Sequence, residues 1–204
     1  MASKEFEEIQ ATLKRTVAAL REAEVDFVLG GSLASWARGG PESHHDLDLI
    51  LTPVNAERAL AALGDAGMRP ERPVEGWLYK TWDGEVLVDL IFSPSGLDVD
   101  EVIARGEDLP VLGMTLRTMA LEDVLATKLL ALNEHRIEYA NPLQTARALR
   151  EQIDWRTLRE RTRGSPYADA FFVLLDGLGV ASEQGAGGAS VRVVEPPRHI
   201  QQAG

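Results

Sequence analysis

The chain has 204 residues, which suits one domain of ordinary size or a domain with a helical appendage. Hydrophobic residues make up 45%, which excludes global disorder, and the absence of cysteine excludes disulfides and thiolate metal sites. A net charge of -11 argues against general nucleic-acid binding, no apolar run approaches the roughly 18 residues of a membrane span, and the charged N-terminus lacks a signal-peptide core, so a cytoplasmic location with no membrane partner is expected.

In chain order, the spacing of Phe6, Ile9, Leu13, Val17 and Leu20 predicts a helix over 3–24. Val25 to Leu29 is a short β-rich run ending on Gly30-Gly31-Ser32, and a helix-like stretch follows from Leu33 to Arg38. After a loop at 39–43, Asp46 to Leu51 reads as a strand. Asn55 to Ala66 reads as a helix, with Asn55 as N-cap and Gly67 just past its end. Trp77 to Trp82 and Glu85 to Phe92 read as strands joined at Asp83-Gly84. Helices are expected near 99–105, 120–135, 141–152, 154–162 and 166–178, with one extended piece over Met114 to Arg117. The expected architecture is an α/β (α+β) unit with a small mixed sheet over 1–112, a C-terminal helical bundle over 113–180, and a disordered Gly-, Ala- and Ser-rich tail over 181–204.

Charge follows the same division. Residues 1–101 carry 9 Lys/Arg against 19 Asp/Glu, whereas residues 102–163 carry 10 against 9. Seven of the second block's nine arginines crowd residues 136–163: Arg136, Arg147, Arg150, Arg156, Arg159, Arg161 and Arg163. They make either a solvated helical surface or a phosphate-facing wall opposite an acidic half.

Asp46 and Asp48 carry the chemistry. Alternate strand residues point the same way, so both carboxylates share a face, with Cα atoms about 6.5–7 Å apart. A polar strand edge in water would also carry such a pair. Two Mg²⁺ ions roughly 3.5–4 Å apart would offset the repulsion between them. Asp89 sits in Val86-Leu87-Val88-Asp89-Leu90-Ile91-Phe92, a run apolar on both faces, where a lone carboxylate needs a partner such as a metal. Gly30, Gly31 and Ser32 form a turn that lets a phosphate approach the backbone, and the sequence lacks the Lys of a Walker A loop. Lys128 falls inside the apolar stripe of its helix, so it either snorkels to water or meets an anion across a cleft, and Arg136 lies two turns on. His44 and His45 precede the pair as metal ligands or as part of an ordering loop.

Leu29-Gly30-Gly31-Ser32, then Asp46-Leu47-Asp48, then Asp89, resembles the nucleotidyltransferase superfamily of the DNA polymerase β type. The resemblance covers residues 25–92. It implies the nucleotidyltransferase fold, an active site facing the helical bundle, two Mg²⁺ ions on Asp46, Asp48 and Asp89, and a nucleoside triphosphate as co-substrate. Gly30, Gly31, Ser32, Lys128 and Arg136 would bind that nucleotide. Two branches compete. Gly39 and His44-His45-Asp46-Leu47-Asp48 look like the antibiotic nucleotidyltransferases for aminoglycosides and lincosamides. Leu121 to Ala131 and Ala146 to Trp155 are similar to small bacterial toxins of toxin–antitoxin pairs, including the MenT group, which add nucleotides to the tRNA 3′ end. That second resemblance implies tRNA as acceptor, a cognate antitoxin as partner, and assisting roles for Lys128 and Asp154. Arg136-Ile137-Glu138-Tyr139 departs from the Arg-x-Lys-Asp that the toxin pattern often carries.

Overall fold

Helix α1 (Lys4–Glu22) exists because Phe6, Ile9, Leu13, Val17 and Leu20 recur on one face, and all five are buried. The computed structural model describes residues 4–42 and 46–181. After α1 come β1 (Val28–Leu29), α2 (Gly31–Trp36), β2 (Asp46–Ile50), α3 (Pro53–Asp65), β3 (Arg69–Glu71), β4 (Leu78–Asp83) and β5 (Val86–Ile91). Then follow α4 (Val99–Ala104), β6 (Glu107–Val111), β7 (Met114–Thr118), α5 (Leu121–Leu130), α6 (Ala140–Leu149), α7 (Trp155–Arg161) and α8 (Pro166–Gly177). No described helix is long and apolar enough to cross a membrane.

The strands form one mixed seven-stranded sheet in the order β3-β4-β5-β2-β1-β7-β6. β2 runs parallel to β5, and β1 parallel to β7; the other neighbours are antiparallel. The α/β expectation therefore holds, with a larger sheet than the sequence suggested. β3 and the β6–β7 hairpin were not anticipated, apart from the extended piece at Met114. The hairpin carries the sheet past residue 112 to Thr118, where β7 pairs with β1 through Leu29 and Thr118. Both edge strands contain a proline, Pro70 in β3 and Pro110 in β6.

Several helix ends differ from expectation, and two of them have a visible cause. Helix α3 starts earlier, at Pro53, because Thr52 is its N-cap and accepts from the Asn55 amide; the Asn55 side chain instead donates to the Asp26 carbonyl at 3.2 Å. Helix α5 stops at Leu130 rather than near 135, because Asn133 and Arg136 pair through their backbones in a tight reversal.

Three apolar clusters result. The largest packs α1 and α3 on one face of the sheet, against Leu47, Leu49, Val88 and Leu90. A second is built by α5 to α8 around Leu125, Leu129, Leu158, Phe171 and Leu175. The third joins them, with Val28, Ala34 and Ile50 meeting Met119 and Val124. The expected site histidines, His44 and His45, lie outside the described residues, as does the expected tail beyond Ala181.

Candidate active site

β2 and β5 set Asp48 opposite Asp89 and Asp46 opposite Leu87. The strand alternation that buries Leu47, Leu49, Val88 and Leu90 against α1 and α3 turns Asp46, Asp48 and Asp89 to the opposite face, where all three are half-buried. One oxygen from each carboxylate lies within 4.8 Å of the other two. A strand interior thus holds three acids together, the constellation the sequence suggested.

Such an arrangement is electrostatically unbalanced. Burial pushes Asp48 up to about 7, and the charges of Asp46 and Asp89 push the same way, against the pull of Lys128 and Lys80. Burial also raises Asp89, opposed by Lys80 beside it. The donor set is all carboxylate oxygen, which fits a hard divalent cation such as Mg²⁺.

Gly31 is required by this geometry. Its φ is +56°, and a Cβ on it would fall 1.6 Å from Asp48 Oδ2. Gly30 caps α2, and its N–H donates to the Asp48 carbonyl at 2.8 Å, tying the turn to β2. The sequence explained these glycines by phosphate approach; the structure adds that the second makes room for a site carboxylate. Lys128, in the last turn of α5, reaches out of the helical core and donates from Nζ to Ser32 Oγ at 3.3 Å. It therefore meets the Gly-Gly-Ser turn and lines the cleft above the carboxylates.

A cleft of about 670 Å³ runs between this sheet face and the α5–α6 wall. Gly31, Ser32, Asp46, Asp48, Lys128 and Arg136 all line it, so most of the expected site residues share one space. Gly30 and Asp89 do not line it; Gly30 supports the turn and Asp89 sits beside Asp48 beneath it. The sequence reading missed several other lining residues. Trp77, 40% exposed, offers an aromatic face, and Asn141 and Thr145 present polar groups from α6. Glu42 and Glu138 add two exposed carboxylates. A lone Trp before a strand and an Asn in a helix carry no sequence pattern that marks them.

Four of the seven arginines have acidic partners within the chain. Among the described residues, Arg136 alone of the seven lines the cleft. Arg161 reaches Asp123 at 2.7 Å, Arg156 reaches Glu160 at 3.2 Å, and Arg150 reaches Glu151 at 3.0 Å. Arg159 lies over the Phe172 ring at 4.1 Å and pairs with Asp176. Asp154 is the N-cap of α7, accepting from the backbone N–H groups of Arg156 and Thr157 at 3.1 Å and from Thr157 Oγ1 at 2.8 Å. It is absent from the cleft lining.

No family model matches the chain, and no curated protein does. Two solved structures of the antibiotic-resistance factor ANT(2'')-Ia are similar to it. The solution structure has a TM-score of 0.61 at 14% identity, covering 83% of this chain and 96% of that one. The crystal structure in complex with adenylyl-2''-tobramycin has a TM-score of 0.60 at 15% identity, covering 81% and 97%. These likenesses show no link to MenT or to toxin–antitoxin pairs. What they establish is the fold: a mixed α/β sheet with flanking helices, shared along most of the chain with nucleotidyltransferase-like proteins.

Proposed function

We propose that this chain is a divalent-metal-dependent nucleotidyltransferase that moves a nucleoside monophosphate from a nucleoside triphosphate to a hydroxyl of a small polycationic acceptor of the aminoglycoside kind. The observation that carries the reading is the convergence of Asp46, Asp48 and Asp89 on the sheet face, below a cleft whose far wall presents Lys128. Asp46, Asp48 and Asp89 would hold Mg²⁺, which neutralises the triphosphate and lowers the pKa of a bound hydroxyl. Lys128 and Ser32 hold the outer phosphates at the Gly30-Gly31 turn. The acceptor oxygen attacks the α-phosphorus in line and a new O–P bond forms. The bond to the β-phosphate oxygen breaks, and pyrophosphate leaves. Asp89 helps take the acceptor proton. Catalysis is mostly positioning and charge neutralisation.

The acceptor class follows from charge. With Asp46 and Asp48 given to the metal and Lys128 and Arg136 to the triphosphate, the cleft lining leaves Glu42 and Glu138, two exposed carboxylates suited to a cation. The fold-level likeness to a structure in complex with adenylyl-2''-tobramycin supports the same class. The RNA reading, with a tRNA 3′ end as acceptor and an antitoxin as partner, needs a phosphate-facing basic wall. Of the seven arginines, Arg136 alone lines the cleft among the described residues, so the geometry favours the small acceptor.

The test is a transfer assay. Purified protein, Mg²⁺ and each α-labelled nucleoside triphosphate are incubated with aminoglycosides and lincosamides, and in parallel with total tRNA. Label on a drug, lost in Asp48→Asn, is the expected result. Label on tRNA alone would restore the RNA reading. No label on any acceptor, with intact folding, would sink both.

A further inference from the structure

Lys80 has no part in the sequence motif, yet the sheet register places it in the site. β3, β4, β5 and β2 align Glu71 with Lys80, Lys80 with Asp89, and Asp89 with Asp48, a row of charges across four adjacent strands. Lys80 Nζ lies 3.4 Å from Asp89 Oδ1, with the two side chains only 26% and 13% exposed. Glu71, the other carboxylate beside Lys80, is exposed and accepts from Trp82 Nε1 at 3.0 Å. Lys80 therefore has Asp89 as its inner partner, and its charge opposes the rise of both Asp89 and Asp48.

Resting on the metal-site reading above, we propose that Lys80 is a positioning residue and built-in counter-ion of the carboxylate cluster: it holds Asp89 in place in the metal-free protein and competes with a divalent cation for that carboxylate. A pair this short and this shielded keeps part of its attraction, because little water stands between the charges. The ammonium stabilises the crowded acids when no metal is bound. The same charge opposes an incoming cation, so the Asp89 side of the cluster fills weakly until a nucleotide arrives with its own phosphate charge and metal. The sequence hides this role, since Lys80 and Asp89 are brought together only by antiparallel pairing of β4 with β5.

The experiment uses Mn²⁺ alone, without nucleotide, on the full chain. Free Mn²⁺ is followed by electron paramagnetic resonance, and melting temperature is recorded in EDTA and in saturating Mn²⁺. Lys80→Met should bind Mn²⁺ about tenfold more tightly than wild type, because a repelling charge next to a ligand is gone. It should also melt earlier than wild type in EDTA and gain more from Mn²⁺. Lower stability in EDTA together with tighter Mn²⁺ binding is a pair of changes that a merely structural lysine would not produce. Lys80→Arg, which keeps the charge, should retain wild-type affinity and provides the control if the methionine variant folds poorly. Equal or weaker Mn²⁺ binding in Lys80→Met, with wild-type binding that is lost in Asp48→Asn, overturns the role of Lys80 alone. Mn²⁺ binding that survives Asp48→Asn, or is absent from every variant, overturns the metal-site reading and this inference with it.

Discussion

Two clusters built around an aspartate, one in α5 and one in β2, are solved in opposite ways. Asp123, at 0% exposure in α5, is ringed by cations. Arg105 reaches it through Nε at 2.9 Å and Nη2 at 3.2 Å, and Arg161 reaches it at 2.7 Å. That cluster pins α4 and α7 to α5 through ion pairs made within the chain. Asp48, in β2, has two further aspartates for neighbours and only Lys128 and Lys80 pulling the other way. A structural ion cluster is complete as folded; the cluster at the cleft is left with excess negative charge. An unbalanced cluster facing an open cleft is the better candidate for chemistry than a balanced one in the joint.

If the two clusters are alike, removing a carboxylate from each has the same consequence. Asp48→Asn should lower nucleotidyl transfer by about 10³-fold or more, since a metal ligand and its charge are lost. Its melting temperature without metal should equal or exceed that of wild type. Asp123→Ala should instead destabilise by about 3–5 kcal/mol in urea, because two arginines lose their shared partner. A destabilised Asp48→Asn beside an unaffected Asp123→Ala would reverse the assignment. Gly31→Ala comes next. The added Cβ must displace Asp48, so transfer should fall about 10²-fold through misplacement of one ligand. Wild-type rates in that variant would show that the turn relaxes freely.

The pH dependence of stability sharpens the same contrast. Asp48 stands at about 7 in the folded chain against an ordinary 3.8. Between those values the folded state binds the extra proton, so metal-free stability falls as pH rises through this window and is recovered on acidification from about pH 7 towards 4. Saturating Mg²⁺ should flatten that slope, as the ion takes the proton's place. Denaturant midpoints that rise with pH across the window in EDTA would contradict the crowding of the three acids. The smallest effect is expected at Asp154. Asp154→Ala removes a helix cap and should cost about 2–4 °C in melting temperature, with transfer per folded molecule unchanged. A loss of turnover there would revive the role that the toxin resemblance implied.

What the sequence disclosed, and what it hid, follows from the range of the interactions. Asp46, Asp48 and Asp89 were legible because a strand's period of two is local, and because a carboxylate inside an apolar run stands out. Lys128 was legible as a charge in an apolar helical stripe. Lys80 was not, since its partner is set by inter-strand register. The arginines stayed ambiguous for the same reason: Arg161 finds Asp123 on another helix, and Arg159 finds Phe172 and Asp176 on α8. The β6–β7 hairpin escaped notice because Glu107, Asp108 and Pro110 dilute its alternation. Its strand identity comes from pairing with the rest of the sheet. At α3, Asn55 looked like a cap by residue type, yet Pro53 at the first helical position already marked Thr52 as the true one.

The prolines at Pro70 and Pro110 have a consequence for how this molecule meets others. β3 and β6 are the two borders of the sheet, and each proline removes an N–H from a row that a foreign strand would otherwise zip onto. Charged neighbours reinforce the barrier, with Arg69 and Glu71 flanking one and Glu107 and Asp108 preceding the other. The protein is thus insulated sideways against runaway β-stacking with its own copies during synthesis and heating. Substituting both prolines with valine would remove that insulation, and turbidity on slow heating would report it.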